Sequence, residues 1–158
     1  MAPVFARWPV QKLMCGSKLN LHIGTEMVAI NAVEWDAIAG KKNPFVSHAF
    51  LSALETGGAV GGNSGWSAMH LLLRSEDGQL HGAMPHYLKN HSYGEYIFDH
   101  SWANAFERAG GTYYPKLLGA VPFTPASGPR LLVRDGRNDH KAALAKGALR
   151  LLNEYQLS

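Results

Sequence analysis

Two strand-like runs, WSAMHLLLR from Trp66 and LHGAMPHYLK from Leu80, are joined by SEDGQ, and the Asp77-Gly78 pair inside that link is a strong signal for a β-hairpin. Just upstream, residues 57–65 read GGAVGGNSG, five glycines in nine positions. Backbone this free cannot hold a regular element, so a mobile loop is expected to lead into the hairpin. A chain with a central hairpin entered from a loop has to build the rest of its fold around that pair of strands.

The flanking segments alternate. NLHIGTEMVAI (20–30) is strand-like, and AVEWDAIAG (32–40) predicts a short helix stopped by Gly40. Ser47 is placed to cap a helix running through Thr56, with Phe50, Leu51 and Leu54 on one face and Gly57-Gly58 at its end. Lys41-Lys42, before Asn43-Pro44, reads as a solvated turn. Residues 101–109 predict another helix, from Ser101 to Gly110-Gly111. Pro115 marks TYYPKLLGAV as an edge or interrupted strand, and PFTPASGPRLLV runs from a Pro-rich loop into a strand. From Asn138, Ala142, Leu144, Ala145, Ala148, Leu149, Leu152 and Tyr155 predict a closing amphipathic helix. This order predicts an α/β (α+β) domain, a mixed sheet flanked by helices.

The 158 residues suit one domain with a core of useful size. Net charge is +3, but its placement argues against a nucleic-acid surface. Residues 1–18 carry three basic residues and no acid, and residues 130–158 carry six basic and three acidic. Residues 19–129 carry six basic and nine acidic, so the centre of the chain is net negative. Residues 1–18 are expected to be an N-terminal extension. One cysteine, Cys15, excludes an intrachain disulfide and a cysteine zinc cluster. No apolar run approaches bilayer length and no signal peptide is apparent, so a cytoplasmic protein is expected.

The densest chemistry lies in HSYGEYIFDHSWANAFERAGG, from His91 to Gly111. His91, Glu95, Asp99 and His100 are candidate acid/base groups, since an imidazole can take a proton from an amine and a carboxylate can hold the ammonium. Tyr93, Tyr96 and Trp102 are candidate wall residues of a substrate pocket. In PFTPASGPR, Thr124, Ser127 and Arg130 are candidates for gripping a carboxylate or phosphate. Each aromatic and acid here can equally serve as core or as a cap. A metal site is not expected: His81 and His86 are five residues apart, which puts them on opposite faces of a strand, and HExxH is absent. Ser64 in GGNSG lacks the setting of a nucleophile elbow.

NPFVSHAFLSALE, YLKNHSYGEYIFDHSWA and YYPKLLGAVPFTP together resemble the FemAB-like bacterial family of predicted N-acyltransferases, described as peptidoglycan biosynthesis and recognition proteins; the likeness runs from about Trp35 to Val133. It implies a GNAT-like acyltransferase fold and transfer of an acyl or aminoacyl group to an amine, with a peptidoglycan precursor as one acceptor. It also implies acyl-CoA as a co-substrate, leaving an aminoacyl-tRNA donor open. The alternatives are a non-catalytic lobe that binds a cell-wall peptide or amino sugar, or an inactive piece of the enzyme. Family members have two such lobes, and residues 19–158 resemble the N-terminal one. Asn104 stands where an acid is expected in the family. Arg108–Gly111, the nearest imitation of a pyrophosphate loop, falls at the end of a predicted helix, where the dipole has the wrong sign for phosphate.

Overall fold

The computed structural model describes residues 13–15, 19–95 and 98–158. In chain order these form β1 (Leu13–Cys15), β2 (Leu19–Gly24), α1 (Ala32–Ala39), α2 (His48–Thr56), β3 (Trp66–Ala68), β4 (His70–Ser75), β5 (Leu80–Met84), β6 (Tyr87–Lys89), α3 (His100–Arg108), β7 (Lys116–Leu118), β8 (Leu132–Val133) and α4 (Asn138–Tyr155). Short 3-10 turns lie at Met27–Ala29 and Pro44–Val46. The α+β class is as expected. The strands divide into two sheets, in the orders β1-β2-β4-β5-β8 and β3-β6-β7, and every pairing among the described residues is antiparallel. The antiparallel sense follows from the central hairpin, because strands joined by tight turns run back alongside each other.

That hairpin belongs to both sheets. Trp66 stands opposite Lys89, Ala68 opposite Tyr87, Leu71 opposite Met84 and Leu73 opposite Gly82, so one register runs from Trp66 to Leu73. Pro85 has no N–H to offer the ladder, and the strands are interrupted there, joined across the gap by the Met69 N–H on the His86 carbonyl at 2.8 Å. On the turn side of this interruption β2 and β8 flank the arms; on the other side β7 flanks β6. A register shift between Leu73 and Arg74 adjusts the strands before the turn.

Alternation along β4 assigns the two faces of the five-stranded sheet. Leu72 packs with Trp35, Ile38, Val46 and Leu51 under α1 and α2, while Leu71 and Leu73 pack with Leu144 and Leu151 of α4. The helices begin where their caps put them. Asn31 Oδ1 accepts from the amides of Val33 and Glu34, and Ser47 Oγ accepts from Phe50 N–H. Trp35, fully buried, donates its indole N–H to the Val46 carbonyl at 2.8 Å, so the largest side chain of this layer has no unpaired polar atom.

The closing helix forms as expected, but on a different face. Ala142, Ala145 and Leu149 are exposed, and His140, Ala143, Leu144, Gly147 and Leu151 are buried. Gly147 explains the rotation: a Cβ there would overlap Leu21 of β2, so the bare backbone lets helix and sheet approach closely. A reading that counts only apolar side chains passes over this glycine.

Leu144→Ala is expected to cost about 2–5 kcal/mol in urea unfolding, because it opens a cavity under the sheet. Leu149→Ala, a change of the same size on the solvent side, is expected to cost under about 0.5 kcal/mol. Equal losses would contradict the assigned face.

Candidate functional site

Cross-strand register places Lys89 of β6 directly opposite Lys116 of β7, and both are buried. Like charges in that arrangement repel and must be compensated. For Lys116 the chain after β6 folds back to do it. The Lys116 ammonium donates to Glu95 Oε2 at 2.9 Å, to Ser92 Oγ at 3.1 Å and to Asp99 Oδ2, which uses its three protons. The Ser92 hydroxyl donates its single proton to Asp99 Oδ1, so Tyr114 is the donor in its 2.6 Å contact with Ser92 Oγ. Tyr113 donates to Asp99 Oδ2 at 2.6 Å. Lys89 donates to the Tyr93 carbonyl at 2.8 Å and lies 4.1 Å from the centre of the Trp66 ring.

These contacts set the charge states. Burial works to raise the Asp99 pKa, but hydrogen bonds from Lys116, Ser92 and Tyr113 outweigh it and hold the carboxyl down to about 2. Burial likewise works against the charged Lys116, and its bonds to Asp99 and Glu95 overcome it and raise the amine. Donation to Asp99, with burial added, pushes the Tyr113 hydroxyl up to about 12. Burial draws the Lys89 amine down to about 8, helped by the Lys116 charge and opposed by Glu95 and Asp99.

Of the sequence candidates, Glu95 and Asp99 therefore meet on one lysine. His91 and His100 instead flank the exposed Tyr93 ring, with centroids 5.2 and 5.8 Å away, and Phe98 stacks on His100 at 5.7 Å. Trp102 of α3 is 75% exposed. Thr124 donates to the Pro122 carbonyl and Arg130 to the carbonyls of Ala126 and Pro129, so both fold back on their own loop, while Ser127 is exposed. Tyr96 lies outside the described residues. Arg108–Gly111 does close α3 at its C-terminal end.

A second constellation escapes a linear reading. Glu55, in the last turn of α2, reaches His70 at the start of β4: Oε1 lies 2.9 Å from the imidazole Nε2. The backbone N–H of His86 points at Nδ1 of His70 at 3.4 Å. A backbone amide can only donate, so Nδ1 is the acceptor and Nε2 carries the proton directed at Glu55. The other carboxylate oxygen, Oε2, accepts from Met27 N–H at 2.6 Å. His70 is fully buried, edge-on to Trp35 and Tyr87 at 5.8 and 5.2 Å. Glu55 also lines a cleft of about 300 Å³ with Thr25, Glu26, Thr56, Val60 and Ala68. The hydroxyl of Tyr87, whose ring meets His70, is buried with no partner among the described residues, and burial holds His86 down to about 4. Glu55 and His70 are fifteen residues apart on different elements, so only the fold joins them.

Among the described residues no three His, Cys, Asp or Glu side chains are grouped to hold a metal ion, and no helix is long and apolar enough to cross a membrane. The family model that matches the chain is FemAB-like, described as peptidoglycan biosynthesis/recognition, and it covers residues 26–158. No curated protein and no solved structure matches.

The network makes two predictions. Lys116→Met leaves Glu95 and Asp99 without their counter-ion and is expected to cost about 3–5 kcal/mol in chemical denaturation. Because the folded Asp99 pKa of about 2 lies below its ordinary 3.8, its contribution is complete above about pH 4 and is lost as the pH falls towards 2. Stability measured from pH 5 to pH 2 should fall more steeply for the native chain than for Asp99→Asn.

Proposed function

Because this chain belongs to the FemAB-like family, we propose that it takes part in N-acyl transfer to an amine of a peptidoglycan precursor, with the Glu55–His70 cleft receiving the acceptor. The observation that carries this reading is the pair itself, a carboxylate at the wall of a cleft held by a buried imidazole of fixed tautomer. An amine arrives as an ammonium and must lose a proton before its nitrogen can attack an acyl carbon. Glu55 offers the negative charge that binds the ammonium and the oxygen that takes that proton. His70, with no surface of its own, is a positioning residue. In the transfer the new N–C bond forms as the bond from the acyl carbon to the donor's sulfur or oxygen breaks. The leaving atom takes up a proton, and the amine gives up its second.

The donor is an acyl thioester such as acyl-CoA or an aminoacyl ester. Residues 57–65 offer no basic side chain and Arg108–Gly111 ends a helix, so neither glycine stretch supports a pyrophosphate cradle. A recognition role has its own support in Tyr93, Phe98 and Trp102, which are 67%, 64% and 75% exposed and suit stacking on sugar rings.

Titration calorimetry with the tripeptide L-Ala-γ-D-Glu-L-Lys and with its side-chain N-acetyl form separates the two readings. The free amine is expected to bind and the acetylated form to bind at least about tenfold more weakly, a difference that Glu55→Gln removes by weakening the former. Equal binding of both forms, unchanged by Glu55→Gln and lost in Trp102→Ala, would replace the transfer reading with recognition.

A further inference from the structure

A larger cleft, about 550 Å³, opens between the end of α1 with the turn that follows it, the chain around β8 and the first turn of α4. We propose that it is a binding site for a diphosphate-class anion. Its floor includes Ile38 and Leu132, and its rim carries Lys41, Lys42, Arg134 and Lys141 against a single acid, Asp135. The four cations come from three separate segments, so the fold, and no run of basic sequence, brings them together. Lys41-Lys42 is thus more than a solvated turn.

Three other cations are committed to carboxylates. Arg74 pairs with Glu34, Lys116 with Glu95 and Asp99, and Arg137 with Asp139. None of the four rim residues takes part in an ion pair among the described residues. The rim is left with a formal charge of +3, and gathering like charges around a concave, partly apolar surface concentrates their field. The end of α1 opposes an anion with about half an elementary negative charge, too little to reverse the sign. A carboxylate would balance one of the three charges. A diphosphate carries two or three negative charges on adjacent groups and can meet cations on both walls at once. The cleft volume falls in the range of small-molecule sites. The apolar floor leaves room for the group that the diphosphate is attached to.

This inference does not depend on the acceptor reading, since it concerns a different cleft and is tested by binding alone. Pyrophosphate is titrated into the 158-residue chain at low ionic strength and followed by phosphorus NMR and calorimetry. One saturable site is expected, weakened at least about tenfold between 50 and 500 mM NaCl, as screening requires. The Lys41→Gln, Lys42→Gln, Arg134→Gln triple variant is expected to bind at least about tenfold more weakly. These side chains are exposed, so the variant should keep the native circular dichroism. ADP and farnesyl diphosphate form the second arm: tighter binding of the first marks a nucleotide source, of the second a lipid-linked one, and equal binding marks the diphosphate alone. Absence of saturable pyrophosphate binding, or binding that the triple variant leaves unchanged, overturns the proposal.

Discussion

Every feature of interest hangs on the central hairpin. Its unbroken register fixes Trp66 opposite Lys89 at one end and Leu73 opposite Gly82 at the other, and a one-residue slip would turn each of these side chains to the opposite face. The interruption at Pro85 is where one ribbon passes from the first sheet to the second. On one side of it, His70 faces the α1–α2 layer and meets Glu55; on the other, Lys89 lies beside Lys116 in the smaller sheet. The two polar constellations are therefore held at a fixed separation by backbone hydrogen bonds, with no loop between them on the β4–β5 side.

The constellations differ in kind. Around Lys116 every proton of the ammonium and both oxygens of Asp99 are engaged, and such saturation describes a clamp that ties the segment after β6 to β7. Buried ion pairs give little net stability compared with apolar packing, but they penalise alternative arrangements heavily. The Glu55–His70 pair is fixed on its inner side and open on its outer side, where the cleft begins. Both Glu55 oxygens are held, by the His70 imidazole and the Met27 amide, but the carboxylate also lines the cleft, and that access makes it the better candidate for meeting a ligand.

How much of this was legible in the sequence follows the range of the interactions. Ser47 as a cap, Gly40 and Gly57 as stops and Asp77-Gly78 as a turn act within four residues, and each stands where its chemistry places it. The division into two sheets was not legible, because Pro85 lies inside an otherwise continuous strand pattern and only the neighbouring strands decide where the ribbon leaves the first sheet. The buried face of α4 depended on Gly147, whose contribution is the absence of a side chain. In the candidate site, Glu95 and Asp99 stood out as acids in an aromatic stretch, but their partner Lys116 is 21 and 17 residues away. Glu55 and His70 each look ordinary in their own elements. Spacing reveals pairs within a turn or a strand, and these pairs form across layers.

The saturation of Lys116 also bears on how sequences of this kind can drift. Ser92, Glu95, Asp99, Tyr113 and Lys116 share so few protons and lone pairs that replacing one strands its neighbours in a poorly solvated place. Replacing the whole set with apolar residues of similar volume carries no such penalty. The accessible route therefore runs through joint change, and the first single step is the barrier. Positions 92, 95, 99, 113 and 116 should behave as one inherited unit, and the exposed rings beside them at 93, 98 and 102 are not tied to it.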